Sequence, residues 1–297
     1  MLGSNRTHAG SVDFKVVEMP LAAAEPSEAA STLASGSSFY LAMRLMPLRQ
    51  RQSMFEIYAF CRAVDDIADN GGPQDMQIVR LQRWRADIDA IFAGAPRERN
   101  AGLAESIAAY SLRREDFMAV IDGMEMDVLS TISGMNWARL DLYCDRVASA
   151  VGRLSVRVFG MAEEPGLALA YHLGRAMQLT NILRDIDEDA AVDRLYLPEE
   201  ALYAADIGTK VPKEAITHRN IGSACSPVIA RAEGHYRESD LIFASCPRVD
   251  VRTPRIMAAA YRSILSELVS RGWNAPRAPV KLRRSRLIWI LFKCFAL

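Results

Sequence analysis

Tyr58-Ala59-Phe60-Cys61-Arg62-Ala63-Val64-Asp65-Asp66-Ile67-Ala68-Asp69 carries the period on which the rest of the chain can be read. Met54, Tyr58, Cys61, Asp65 and Asp69 recur at steps of three and four, which places them on one face of a helix, while Glu56 and Ala63 point elsewhere. Residues four apart lie one above the other on a helix, so Asp65 and Asp69 offer two carboxylates to the same point in space. The pattern returns 120 residues later as Asp185-Ile186-Asp187-Glu188-Asp189. Its neighbours differ from those of the first copy, which makes the echo functional and not a solenoid repeat.

Outward from that stretch, the chain from Ser38 onward reads as one helix after another with almost no alternating β-branched strand. The spacing predicts helices over Met76 to Phe92, Arg113 to Thr131, Asn136 to Gly160, Pro165 to Asp189, Asn220 to Ala244 and Arg252 to Ser270. Asn70-Gly71-Gly72-Pro73, Ala93-Gly94-Ala95-Pro96, Ser133-Gly134 and Glu163-Glu164-Pro165 are the breakers between them. None is long enough to link two domains, so the expectation is a single all-α domain over residues 31–297 behind a poorly ordered arm at 1–30.

The composition agrees with an ordinary globular chain. Among 297 residues, 50% are hydrophobic and 24% charged, which excludes disordered, collagenous and low-complexity classes. Five widely spaced cysteines without a CxxC argue against a disulfide scaffold or a zinc site and for a reducing cytoplasm. The four histidines show no ligand spacing, and the methionines read as core filling. Neither a signal peptide at the N-terminus nor a transmembrane segment is expected: the most apolar stretch, Leu287 to Leu297, falls well short of the roughly 20 residues a span needs.

Charge is distributed unevenly. Seven basic residues and no acid follow from Arg271 onward, leaving 29 basic against 36 acidic residues before it. A nucleic-acid protein shows a basic face through its domain. Here the basic tail also contains the apolar run Leu287 to Phe292, which points either to peripheral contact with the inner face of a membrane or to a terminal helix packed on the bundle.

A single aspartate pair on a solvated helix costs only a few tenths of a kcal/mol and is compatible with a wet surface. The two pairs have company, however. Gln178 and Asn181 extend the face of Asp185 by two turns, and Arg62 and Tyr58 extend that of Asp65. Such aligned amides and carboxylates suit a hard divalent cation, which takes one or two carboxylates, keeps waters and completes its shell with phosphate oxygens. A di-iron carboxylate bundle would require Glu-x-x-His pairs, which are absent.

Three segments then resemble the signatures of the squalene and phytoene synthase family: Tyr58 to Asp69, Tyr143-Cys144-Asp145-Arg146-Val147-Ala148-Ser149-Ala150-Val151-Gly152, and Gln178-Leu179-Thr180-Asn181-Ile182-Leu183-Arg184 followed by Asp185 to Asp189. The resemblance runs from about Gly36 to Ser270. It implies an all-helical isoprenoid synthase fold with a central cavity, in which two prenyl diphosphates are joined head to head with Mg²⁺, Mn²⁺ being the alternative ion. It places Asp65, Asp69, Asn181, Asp185 and Asp189 on the metal and Arg62 and Arg184 near the diphosphates. It implicates Ser38, Tyr58, Tyr143, Gln178 and Tyr261 in substrate placement or proton handling, with Tyr58, Tyr143 and Tyr261 as the catalytic tyrosines. It also matches Arg194 and Tyr196 to the flap after the second aspartate helix. Where family members carry a hydroxyl residue two positions before Ser38, this chain has Gly36, leaving only a backbone N–H there.

The Cys61 to Asp69 wording is most similar to family members of bacterial hopanoid pathways. That implies condensation of two farnesyl diphosphates to presqualene diphosphate, with squalene-forming enzymes downstream and no NADPH. The alternatives are a phytoene synthase acting on geranylgeranyl diphosphate, a complete NADPH-dependent squalene synthase, and a non-catalytic helical assembly factor. No GxGxxG fingerprint or βαβ pattern is present, although squalene synthases that use NADPH also lack a Rossmann domain. The small run Ala148 to Gly152 reads either as close helix packing or as room for a farnesyl chain to pass.

Overall fold

The computed structural model describes residues 40–69, 72–129, 134–282 and 289–290. Ser38, Gly36 and the arm at 1–30 lie outside them. Among the described residues the secondary structure is helical, as expected, and no strand is formed. The chain runs α1 (Tyr40–Arg44), α2 (Leu48–Asp69), α3 (Gln74–Phe92), a 3₁₀ turn (Glu98–Asn100), α4 (Ala101–Tyr110), α5 (Arg114–Leu129), α6 (Trp137–Cys144), a π turn (Asp145–Ser149) and α7 (Ala150–Phe159). It continues through α8 (Glu163–Arg184), α9 (Ile186–Ala191), α10 (Glu199–Ala204), α11 (Pro212–Thr217), α12 (Ile221–Ser245) and α13 (Arg248–Arg271).

α8 is the central helix. It packs against α7, α12, α13 and the π turn, and its buried residues fall all round it: Leu169, Ala170, Leu173, Ala176, Leu179, Ile182 and Leu183. A helix apolar on most of its circumference has to sit inside the bundle. α2 instead divides its surface. Ile57, Phe60, Val64 and Ile67, at steps of three and four, are buried in the core, where the Phe60 ring meets Phe117 and Trp84 edge-on at 5.1 and 5.4 Å. The adjoining stripe of Tyr58, Arg62 and Asp65 is left for the cavity.

Two of the expected helices are not continuous. The stretch from Asn136 to Gly160 starts as predicted, with Asn136 Oδ1 capping the N–H of Arg139 at 2.8 Å, but widens into the π turn at Asp145–Ser149. The cause is Arg175 on α8, which is 4% exposed. Its guanidinium donates to both carboxylate oxygens of Asp141 at 2.9 and 3.0 Å, and Nη1 reaches Asp145 at 3.2 Å and Ser149 Oγ at 2.9 Å. The extra residue of the π turn brings all three acceptors to one cation. Gly174 makes the approach possible, because a Cβ there would stand 2.8 Å from the Ser149 Cα and N.

The helix expected over Pro165 to Asp189 ends at Arg184 instead. Asp185 bends the backbone to φ −96° and ψ 12°, and its carboxylate receives Arg184 Nε and Nη2, each at 2.6 Å. Successive residues of a straight helix do not face each other, so this bidentate pair exists only because the helix breaks. The following turn restarts at once, with the Asp189 N–H donating to the Asp185 carbonyl at 2.8 Å, and the i, i+4 relation of the two aspartates survives. The expected end at Thr131 lies outside the described residues, and the remaining boundaries shift by a few residues, the largest at α13, which begins at Arg248 and not Arg252.

Arg277 and Ile290 of the tail pack inward, and residues 283–288 and 291–297 lie outside the described ones. Arg277, whose side chain is 1% exposed, holds Asp187 of α9 with Nε at 2.8 Å and Nη2 at 2.5 Å. Ile290 is buried against Ala42, Ile256 and Ala260, while its neighbour Trp289 is exposed. No helix among the described residues is long and apolar enough to cross a membrane.

Candidate active site

A cavity of about 470 Å³ opens between α2, α5, the π turn, α7, α8 and α13, within the usual range for ligand pockets. Its polar lining is Tyr58, Arg62, Asp65, Gln178, Asn181 and Arg184, with Tyr143 on the wall. Its apolar lining comes from Val120, Met124, Val147, Val151, Val156, Phe159, Leu173 and Met177. A charged head and a hydrocarbon body would each find matching walls. Gly152 serves both readings of the small run: it lines the cavity, and a Cβ on it would meet the Ala170 Cα at 3.0 Å.

Asp65, Asp69 and Asp185 of the two aspartate stripes are held by arginines. Arg62 donates to Asp65 at 2.6 Å and reaches Asp66 at 2.7 Å. Arg184 holds Asp185 as described, and Arg194 donates to Asp69 Oδ1 at 2.7 Å and to the Ala68 carbonyl at 3.1 Å. Burial and neighbouring Asp69 push the Asp65 carboxyl up to about 6. Asp189 goes up to about 7, through burial first and then Asp185, with Asp127 and Asp69 adding to it. The influence of Asp69 on Asp189 means that the two stripes share one electrostatic field across 120 residues of sequence.

The donor set fits a hard cation. All five residues offer oxygen, and Asn181 Oδ1 is buried without a hydrogen-bond partner, while its Nδ2 donates to Gln178 Oε1 at 3.3 Å. A buried carbonyl oxygen left unpaired is costly unless something positive meets it. Among the described residues no three carboxylate, imidazole or thiolate groups converge on a single ion position. A cation here would take a few protein oxygens and complete its shell from diphosphate and water.

Of the three tyrosines, Tyr58 and Tyr143 line the cavity. Tyr261 is buried behind it and hydrogen-bonds with Arg184 and Asn181, so it touches the site through those two side chains. Tyr196 lies on the segment between α9 and α10 and stacks on Tyr143, with ring centroids 5.1 Å apart.

One residue at this end escaped the sequence analysis. Asp127, on α5, accepts the Tyr143 hydroxyl at 3.0 Å and the Tyr196 hydroxyl at 3.1 Å, and burial pushes its carboxyl up to about 7. The signal was there to find: Phe117, Val120, Ile121 and Met124 form the buried stripe of α5, and Asp127 continues it one turn further. A carboxylate on an apolar stripe needs partners.

The squalene/phytoene synthase model matches residues 33–286. The presqualene diphosphate synthase of Rhodopseudomonas palustris is 52% identical over 261 residues, 88% of this chain and 94% of that protein. That of Sinorhizobium fredii is 53% identical over 260 residues, 88% and 93% of the two chains. A dehydrosqualene synthase solved in complex with ligand superposes with a TM-score of 0.80 at 25% identity, over 91% of this chain and 95% of its own. With a family model over most of its length and relatives at half identity, the chain belongs to the squalene/phytoene synthase family.

Proposed function

We propose that this protein is a prenyltransferase that condenses two farnesyl diphosphates into presqualene diphosphate, releasing pyrophosphate and a proton. The observation that carries the reading is the cavity, where an arginine and aspartate mouth adjoins an apolar body of limited volume. The names of the half-identical relatives support the same product.

In this reading Asp65, Asp69, Asn181, Asp185 and Asp189 hold Mg²⁺. When bound, Mg²⁺ offsets the charge that builds on a departing diphosphate. Arg62, Arg184 and Arg194 exchange aspartate for diphosphate oxygens and orient the two heads, with Gln178 beside them, and Ser38 binds substrate as the family resemblance implies. The apolar wall from Val147 to Phe159 keeps water from the allylic cation left when the carbon–oxygen bond breaks. The faces of Tyr58 and Tyr143 stabilise that positive charge, and Tyr261 acts by supporting Arg184 and Asn181. The double bond of the second molecule attacks the cation, and loss of a proton, to a tyrosine or to the released pyrophosphate, closes the cyclopropane. The site does not invoke NADPH. The basic tail, with Trp289 exposed, rests on an anionic membrane surface.

Incubation of purified protein with Mg²⁺ and either farnesyl or geranylgeranyl diphosphate, with and without NADPH, tests this by product identification. Presqualene diphosphate from the shorter substrate, independent of NADPH, is the expected result. Preferred formation of phytoene, squalene appearing only with NADPH, or no product from either substrate would each refute it.

A further inference from the structure

The carboxylate of Asp127 meets two phenols from different parts of the chain. Tyr143 comes from α6 and gives its hydroxyl to Oδ2, while Tyr196 comes from the segment after α9 and gives its hydroxyl to Oδ1. The two hydroxyls are 3.4 Å apart, and both rings are nearly excluded from solvent, at 4% and 6% exposure. Each acceptor oxygen therefore takes one hydroxyl, and neither phenol is free to rotate its hydrogen towards the cavity. Two residues before Tyr196, Arg194 is fastened to Asp69 and to the Ala68 carbonyl. Asp127 thus stands where α5, α6 and the Arg194 segment meet.

We propose that Asp127 is a positioning residue for the condensation: by accepting both hydroxyls it fixes the Tyr143 phenol at the cavity wall and ties it to the segment that carries Arg194. With both hydrogens committed to the carboxylate and the rings stacked at 5.1 Å, the two phenols hold one arrangement. Asparagine has the same shape but one acceptor oxygen and an NH₂ that donates. In its presence one of the two phenols must turn its hydrogen elsewhere. The inference rests on the reading of Tyr143 as a residue of the reacting site.

The test is a set of steady-state measurements on the full chain at pH 8.5, above the value of about 7 to which burial pushes the Asp127 carboxyl: Asp127→Asn, Tyr196→Phe, the pair together, and Tyr143→Phe. Misplacement of a reacting group by a fraction of an ångström to about 1 Å costs up to about 100-fold, so Asp127→Asn is expected to lower kcat by about 10- to 100-fold. KM for farnesyl diphosphate should stay within about threefold, and the melting midpoint close to that of the parent. In the Tyr196→Phe background the same change should cost distinctly less, because one of the two hydroxyls is already gone. A fluorine label on the Tyr143 ring supplies a readout independent of turnover, its ¹⁹F resonance shifting in both Asp127→Asn and Tyr196→Phe. An unchanged kcat in Asp127→Asn, a loss that appears equally in KM and thermal stability, or an unmoved ¹⁹F resonance would overturn the proposal. If Tyr143→Phe turns over normally, the assignment of Tyr143 falls and this inference with it. If Tyr143→Phe is slow and Asp127→Asn is not, the inference alone fails.

Discussion

Substitution of Gly174 by alanine should damage the site from behind, through the π turn. A Cβ at Gly174 would stand 2.8 Å from both the Cα and N of Ser149 and 2.9 Å from its Oγ. Those atoms cannot yield cheaply, since Ser149 is fully buried and its hydroxyl is held by Arg175 at 2.9 Å. Ordinary contact begins near 3.4 Å, so the π turn must move by several tenths of an ångström away from α8. Overpacking of this kind costs about 1–3 kcal/mol, and replacing a mid-helix glycine returns roughly 0.5–1 kcal/mol. Contacts of 2.8 Å against buried backbone belong to the upper half of that cost, and the resulting net loss of about 1–2.5 kcal/mol corresponds to a fall in melting midpoint of roughly 2–10 °C for a chain of this size. Differential scanning calorimetry measures it, with Gly234→Ala as the control. There the nearest atom to the new Cβ is Arg237 Nη2 at 3.7 Å, and a small rise is expected. Turnover should fall in Gly174→Ala as well, because Val147 and Ala148 of the displaced turn line the cavity. Equal melting midpoints for the two variants would refute the reasoning.

Asp65→Asn and Asp185→Asn should each lower turnover by orders of magnitude with little change in helical circular dichroism; near-normal activity in either would remove its assignment to the metal. In metal-free protein the raised carboxyls of Asp65, Asp127 and Asp189, at about 6, 7 and 7, retain protons that an unfolded chain loses near pH 4. Their contribution to stability is greatest below that pH and declines up to about pH 7. Asp189→Asn should therefore flatten a pH series of melting midpoints and raise the midpoint at pH 8, and an unaltered series would contradict it. Arg277→Ala leaves Asp187 half exposed, so a loss of about 1–2 kcal/mol is expected in denaturant titration, and no loss would show that the strap is unimportant. Trp289→Ser should reduce sedimentation of the full chain with anionic vesicles, and equal pelleting would remove the membrane reading.

Long helices and the two carboxylate stripes were legible because their information is local and periodic. Tyr58, Arg62 and Asp65 need only the geometry of α2 to share a face, and all three line the cavity. The π turn and the break at Asp185 were not legible. The first depends on Arg175, brought to Asp145 from 30 residues away by packing, and the second on a pair of neighbours that a straight helix keeps apart. Short helices such as Glu199–Ala204 and Pro212–Thr217 contain too few turns to display a period. For Asp127 the position on an apolar stripe was visible, but its two partners, 16 and 69 residues away, were not.

The pair between Arg277 and Asp187 has a consequence for the order in which the protein is made. Chains emerge from the ribosome from the N-terminus, so α2 with Asp65 and Asp69 is synthesised long before the rest. The turn bearing Asp185 and Asp189 emerges later, and its clamp lies a further 90 residues downstream. A nascent chain can build the cavity wall while its second set of carboxylates still lacks that fastening. The turn that carries the second carboxylate stripe thus gains its fastening late, after the apolar walls of the cavity have been made.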